Sequence, residues 1–253
     1  MKKPIIIGNW KMKLNYHQSV NLAKELVNLA NPADMLNKDI VVCPSFSSFL
    51  LVSEIFKNSD IKMGVQDIFW EDSGAFTGCE SPKFLSEAGC QYAIIGHSER
   101  RQNFNETDMM IHQKIKSALD NKIVPILCVG ETLTERQQNL TDNIIFTQVT
   151  KALSGIDLIS NEELVIAYEP VWVIGSGRAI DPEEAQQVFR VIYQAIIDLW
   201  PLTIVQTNVR IIYGGSIDVS DFREFLNLDH FSGFLIGGAS LKSKNFWEII
   251  KNI

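Results

Sequence analysis

The residue best placed to do chemistry is a carboxylate at the tip of an apolar run. Leu164-Val165-Ile166-Ala167-Tyr168 is short, continuous and rich in β-branched and aromatic side chains, and it reads as a buried strand. Glu169 follows it directly, and Pro170 then bars both a helix and a further ladder donor. Other apolar runs end in the same polar way. Asn9 and Lys11 follow Ile5-Ile6-Ile7, His97 and Glu99 follow Ile94-Ile95, and Glu131 follows Val129-Gly130. Gly214-Gly215-Ser216 follows Ile211-Ile212-Tyr213, and Gly237-Gly238-Ala239-Ser240 follows Leu235-Ile236. Each has a plain explanation alone: a solvated lysine, a hydrogen-bonded structural histidine, a glutamate paired with an arginine, tight turns at Gly-Gly. Brought to one place, Glu169 as base, His97 as neutral donor and Lys11 as cation, with Asn9 beside them, suit proton abstraction next to a carbonyl.

The elements that must position these groups recur along the whole chain. Strand-like runs fall at Ile5–Ile7, Ile40–Cys43, Ile61–Val65, Tyr92–Ile95, Ile123–Val129, Leu164–Tyr168, Val209–Tyr213 and Phe234–Ile236. Their mean spacing of about thirty residues is that of a βα unit. Continuous rather than alternating apolar runs suit strands buried on both faces of a parallel sheet. Helical periodicity lies between them: Val20 to Ala30, a short helix opened by Ser81-Pro82 and closed by Gly89, and Ile111 to Leu119. Ala185 to Leu199 is the clearest stripe, capped by Asp181-Pro182-Glu183-Glu184 and ended by Pro201. Eight such units without a linker predict one (β/α)8 barrel over residues 1–253; an open doubly wound sheet is the alternative.

In a barrel the chemistry belongs at the C-terminal ends of the strands, where Asn9, Lys11, His97 and Glu169 would meet. The glycine-rich turns after the last two strands would let backbone N–H groups approach an anion such as phosphate. The chain carries a net charge of −7. That balance argues against nucleic acid or an anionic membrane as partner, and it makes Lys11 the local positive charge a phosphate would need. No apolar run reaches the roughly 18 residues of a membrane span. The N-terminal apolar run is too short for a signal peptide. Cys43, Cys79, Cys90 and Cys128 show no metal spacing, and read as reduced thiols of a cytoplasmic protein. No P-loop, H-E-x-x-H, nucleophile elbow or complete dinucleotide fingerprint occurs, so neither metal nor organic cofactor is expected.

Taken together, Gly8-Asn9-Trp10-Lys11-Met12, Gly74-Ala75-Phe76-Thr77-Gly78, Gly96-His97-Ser98-Glu99-Arg100-Arg101, Ala167-Tyr168-Glu169-Pro170-Val171-Trp172, Tyr213-Gly214-Gly215-Ser216 and Gly237-Gly238-Ala239-Ser240-Leu241 resemble the triosephosphate isomerases, from first strand to last helix. The resemblance implies cofactor-free interconversion of dihydroxyacetone phosphate and glyceraldehyde 3-phosphate, a step of glycolysis and gluconeogenesis. It implies Glu169 as the base, His97 as a neutral imidazole that polarises the carbonyl, and Lys11 and Asn9 as stabilising and orienting groups. Glu99 would support Lys11 or join the proton traffic. Gly175, Ser216, Gly237 and Gly238 would bind phosphate, and Pro170 to Ile180 would close as a lid. A homodimer through the Gly74–Glu80 loop is implied as well.

The chain departs from that family's pattern at Lys13, usually Asn, at Cys79, usually Glu, and at Val173 and Arg178-Ala179-Ile180 in the lid. Lys13 and Cys79 bear on the dimer contacts. The lid changes bear on opening kinetics. The competing functional readings are an aldolase, a sugar-phosphate epimerase, and a barrel retained as a scaffold.

Overall fold

The computed structural model describes residues 2–159, 161–175 and 179–253. Eight strands form the sheet: β1 (Ile5–Asn9), β2 (Asp39–Cys43), β3 (Ile61–Val65), β4 (Tyr92–Ile95), β5 (Val124–Val129), β6 (Leu164–Tyr168), β7 (Val209–Tyr213) and β8 (Phe231–Ile236). Each pairs in parallel with its sequence neighbours, and β8 returns to β1 with Ile5 opposite Gly233 and Gly8 opposite Ile236. The closure decides between the two predicted architectures. A closed ring of parallel strands with helices outside is a (β/α)8 barrel, and it leaves no sheet edge.

The pleat explains why the strands read as continuous apolar runs. Ile5, Ile7, Val41, Ile94, Val165, Ala167 and Ile212 belong to the cluster that fills the barrel interior. Their alternate neighbours, among them Ile6, Ile40, Val42, Ala93, Ile95 and Ile166, pack outward beneath the helices. Both faces are dry, so both need apolar side chains.

The clearest predicted stripe becomes the helix Pro182–Ile197. Asp181 caps it by accepting the Glu183 N–H at 2.8 Å, with Pro182 at the first helical position. It stops two residues short of Leu199, whose N–H bonds back to Ile196. The segment after β5, where periodicity gave no signal, folds as helices Leu133–Gln137 and Thr141–Leu153. The first of these buries no side chain, so it has no apolar stripe to read. A reciprocal cap starts it instead: Thr132 accepts the Glu135 N–H, and Glu135 accepts the Thr132 N–H.

Candidate active site

Two of the predicted site residues are placed by strand alternation alone. Ile5 and Ile7 point into the barrel, so Asn9, the last residue of β1, points there too. Val165 and Ala167 point inward from β6, and Glu169 continues that row one step past the strand. Its backbone is held on both sides by extensions of the ladder: the Glu169 N–H donates to Val129 O at 2.7 Å, and the Gly214 N–H donates to Tyr168 O at 2.7 Å. The neighbouring strands come so close that a Cβ on Gly130 would stand 1.7 Å from the Glu169 carbonyl oxygen.

The other two need a break in the alternation. Gly96 follows β4 with φ +73°, a left-handed conformation suited to glycine, and its turn sends His97 to the barrel mouth. Lys11 itself is left-handed, with φ 51°. A non-glycine residue stays there only when its surroundings fix it. Here the Lys11 N–H donates to Asn9 Oδ1 at 3.0 Å, Gln66 Nε2 donates to the Lys11 carbonyl at 2.9 Å, and the ammonium reaches Glu99 Oε1 at 2.7 Å.

His97 is the N-cap of the helix Ser98–Phe104, and its Nδ1 accepts the Glu99 N–H at 3.2 Å. An accepting Nδ1 puts the ring proton of the neutral tautomer on Nε2. That nitrogen lies 3.0 Å from Glu169 Oε1, while the Ser98 N–H donates to Glu169 Oε2 at 2.9 Å. Glu169 and His97 are both buried. Burial opposes ionisation of Glu99, but the hydrogen bond and charge of Lys11 outweigh it and hold the Glu99 carboxyl below the ordinary range.

These groups share one cavity of about 430 Å³ at the C-terminal end of the strands. Asn9, Lys11, His97, Glu99, Glu169, Gly175, Ser216, Gly237 and Gly238 all line it. The chain matches the family model for triosephosphate isomerase over residues 4–253. It is 42% identical over 252 residues to the triosephosphate isomerase of Dictyoglomus thermophilum, covering 100% of both chains. It is 43% identical to that of Alkaliphilus metalliredigens and 41% to that of Caldanaerobacter subterraneus, each over 250 residues and 99% of both chains. The chain belongs to the triosephosphate isomerase family.

Within the frame of that family, several details were not legible in advance. Ser216 Oγ donates to Val173 O at 2.8 Å, so its hydroxyl ties the turn after β7 to the segment after β6. Gly214, read as part of a phosphate turn, has a second duty: a Cβ there would sit 3.0 Å from Glu169 Cγ. Glu131 is fully buried, and its Oε1 accepts from Trp172 Nε1 at 3.0 Å and from the Tyr168 hydroxyl at 3.2 Å. Burial pushes its carboxyl up, and the bonds from Trp172 and Tyr168 recover only part of that. Just before the helix Pro182–Ile197, the Ile180 N–H donates to the Tyr213 hydroxyl at 3.3 Å. The sequence carries a signal for Glu131, since it follows β5 across Gly130, but no charge pattern distinguishes it from a surface glutamate. Of the second hinge, Arg178 lies outside the described residues, as do Ser176 and Gly177. Among the described residues no cluster of His, Cys, Asp and Glu could hold a metal ion.

Proposed function

We propose that this barrel interconverts dihydroxyacetone phosphate and D-glyceraldehyde 3-phosphate through an enediol(ate), with no cofactor. The observation that carries the reading is the pairing of Glu169 with His97 at 3.0 Å inside a cavity that Lys11 and two glycine-rich turns also line. Glu169 takes the pro-R proton from the carbon next to the carbonyl and returns it to the former carbonyl carbon. His97, with its proton on Nε2, donates to the carbonyl oxygen and carries the proton between the two oxygens of the enediol. Lys11 stabilises the negative charge that develops on oxygen, with Glu99 holding its ammonium in place. Asn9 orients the substrate oxygen. The phosphate rests on Gly175, Ser216, Gly237 and Gly238. Since the Ser216 hydroxyl is engaged with Val173, its backbone N–H is the group left for the phosphate.

An exposed enediol phosphate can lose its phosphate, so water must be excluded while it exists. The segment from Pro170 to Ile180 serves as the lid, with Pro170-Val171-Trp172 as one hinge and Arg178-Ala179-Ile180 as the other. The functional unit is a homodimer through the Gly74–Glu80 loop. In support, this loop and the segment after β1 both leave apolar side chains at the surface, Phe76 43% and Met12 93% exposed. We place the protein in the cytoplasm; its cysteines are unpaired, and among the described residues no helix is long and apolar enough to cross a membrane.

The test is a coupled assay with glyceraldehyde 3-phosphate and an enzyme that reduces dihydroxyacetone phosphate. Cofactor-free turnover in both directions is expected. A trapped Schiff base with borohydride, or a strict need for a divalent metal, would replace this reading with an aldolase or an epimerase. Light scattering showing a fully active monomer would remove the dimer.

A further inference from the structure

Among the described residues, five charged side chains line the cavity: Lys11, Lys13, Glu99, Glu169 and Asp218. The Lys11 ammonium is already engaged by Glu99 at 2.7 Å. Lys13, two residues on in the loop after β1, is exposed and makes no ion pair with the described residues. It sits close enough for its charge to help hold the Glu99 carboxyl ionised. Asp218, from the loop after β7, is also exposed. Its Oδ1 accepts the Val219 N–H at 2.7 Å and the Asn245 amide at 3.4 Å, and no cation among the described residues pairs with it. Apart from Glu169, the proposed base, the described residues of the cavity therefore carry one uncompensated charge of each sign, in a protein with a net charge of −7.

We propose that Lys13 and Asp218 set the efficiency of substrate capture, Lys13 by attracting and Asp218 by repelling the phosphate of the incoming triose. The inference rests on the phosphorylated substrate proposed above. A phosphate monoester carries about −1.5 to −2 charges at neutral pH. A single charge in a solvated rim contributes modestly, but its effect is doubled on a near-dianion and is read directly in encounter. Neither side chain touches the reacting carbons, so both act on capture and not on proton transfer.

The experiment compares Lys13→Met, Lys13→Arg and Asp218→Asn with the parent protein, using glyceraldehyde 3-phosphate and, separately, unphosphorylated glyceraldehyde. At an ionic strength of about 0.01 M, where screening reaches only beyond about 30 Å, Lys13→Met lowers kcat/KM for the phosphorylated substrate about three- to tenfold. Asp218→Asn raises it about two- to fivefold, and Lys13→Arg keeps the parent value. Near 0.5 M salt the differences shrink below about twofold. With glyceraldehyde all variants match the parent. The proposal is overturned if Lys13→Met leaves the low-salt value unchanged, if its loss persists at high salt, or if glyceraldehyde shares it, as it would were the dimer merely loosened. A parent protein that turns over neither triose phosphate fails the functional reading itself.

Discussion

At the floor of the barrel, Arg210 is buried and ion-paired with Asp39 and Glu163, and Lys62 reaches Asp39 at 2.9 Å. At the mouth, Glu169 is just as buried, yet the titratable groups against it among the described residues are the His97 imidazole at 3.0 Å and the buried Cys128 thiol. The floor combines opposite charges so that Asp39, Lys62 and Arg210 are held in their ionised forms. Burial opposes ionisation of Asp39, but Lys62 and Arg210 outweigh it and hold the carboxyl below its ordinary range; the same bonds raise Lys62. Such a carboxylate has nowhere to put a proton. The mouth gives Glu169 one backbone N–H, a ring nitrogen and the Cys128 thiol, with no cation among the described residues within ion-pairing distance. A base needs that freedom, and a strut needs its absence.

The largest effect that could break this comparison is a shift of the mouth carboxylate by one methylene. Glu169→Asp keeps the charge but withdraws it from the substrate carbon, and displacements of this size cost about 10²-fold in turnover. We expect a kcat loss of that order with substrate still binding and with an unfolding midpoint near that of the parent. Near-normal turnover would remove Glu169 as the base. A collapse in stability would make it a strut after all.

The contrast also shows what the sequence could reveal. Asn9 and Glu169 were legible because strand alternation places them without further information: each follows an inward-pointing row by two residues. His97 and Lys11 were expected at the mouth from their strand-end positions, but the direction of their side chains was not legible, because each depends on a left-handed residue, Gly96 or Lys11 itself, and alternation says nothing about the direction of the chain after such a turn. The eight strands were legible to within two or three residues since burial on both faces leaves an unbroken apolar run. β1 ran on through Gly8 to Asn9 because pairing with β2, not hydrophobicity, sets its end; Asn9 stands opposite Cys43. The floor network escaped notice altogether. Asp39, Lys62, Glu163 and Arg210 lie far apart in the chain, and their meeting is a product of barrel closure that no local pattern encodes.

A second measurement sharpens the floor side. Asp39→Asn leaves Arg210 buried with one partner fewer, and breaking a buried pair costs about 3–5 kcal/mol. We expect a loss near the lower end, about 3 kcal/mol in urea unfolding at neutral pH, with kcat unchanged, because Glu163 still faces Arg210. The pH dependence follows from the depressed carboxyl. The unfolded chain binds a proton to Asp39 at higher pH than the folded chain does. The contribution of Asp39 is therefore complete above its unfolded pKa and is lost as pH falls through its lower folded pKa. Parent and variant should converge in acid. A constant gap down to acid pH would mean that the charge on Asp39 is not what holds the floor.

Glu131 provides the smallest and most discriminating test, because it combines features of both ends. It is buried like Glu169 and structural like Asp39, but its carboxyl is raised and its Oε2 has no hydrogen-bond partner. Its nearest cation, Arg136, stands 3.8 Å from Oε1 and bonds Glu184 with its other nitrogen. With the folded pKa above the unfolded one, the favourable contribution is full below the unfolded pKa and is lost as pH rises through the folded value. Glu131→Gln keeps an acceptor for Trp172 and Tyr168 and removes the buried charge, and a neutral amide costs less to bury than a carboxylate. The variant should be more stable than the parent by about 1 kcal/mol at neutral and alkaline pH, with the advantage fading as pH falls into the carboxylate range. If it is less stable at every pH, attraction from Arg136 outweighs burial. Glu131 then belongs with the paired charges of the floor, and the division between the two ends of the barrel does not hold at the lid hinge.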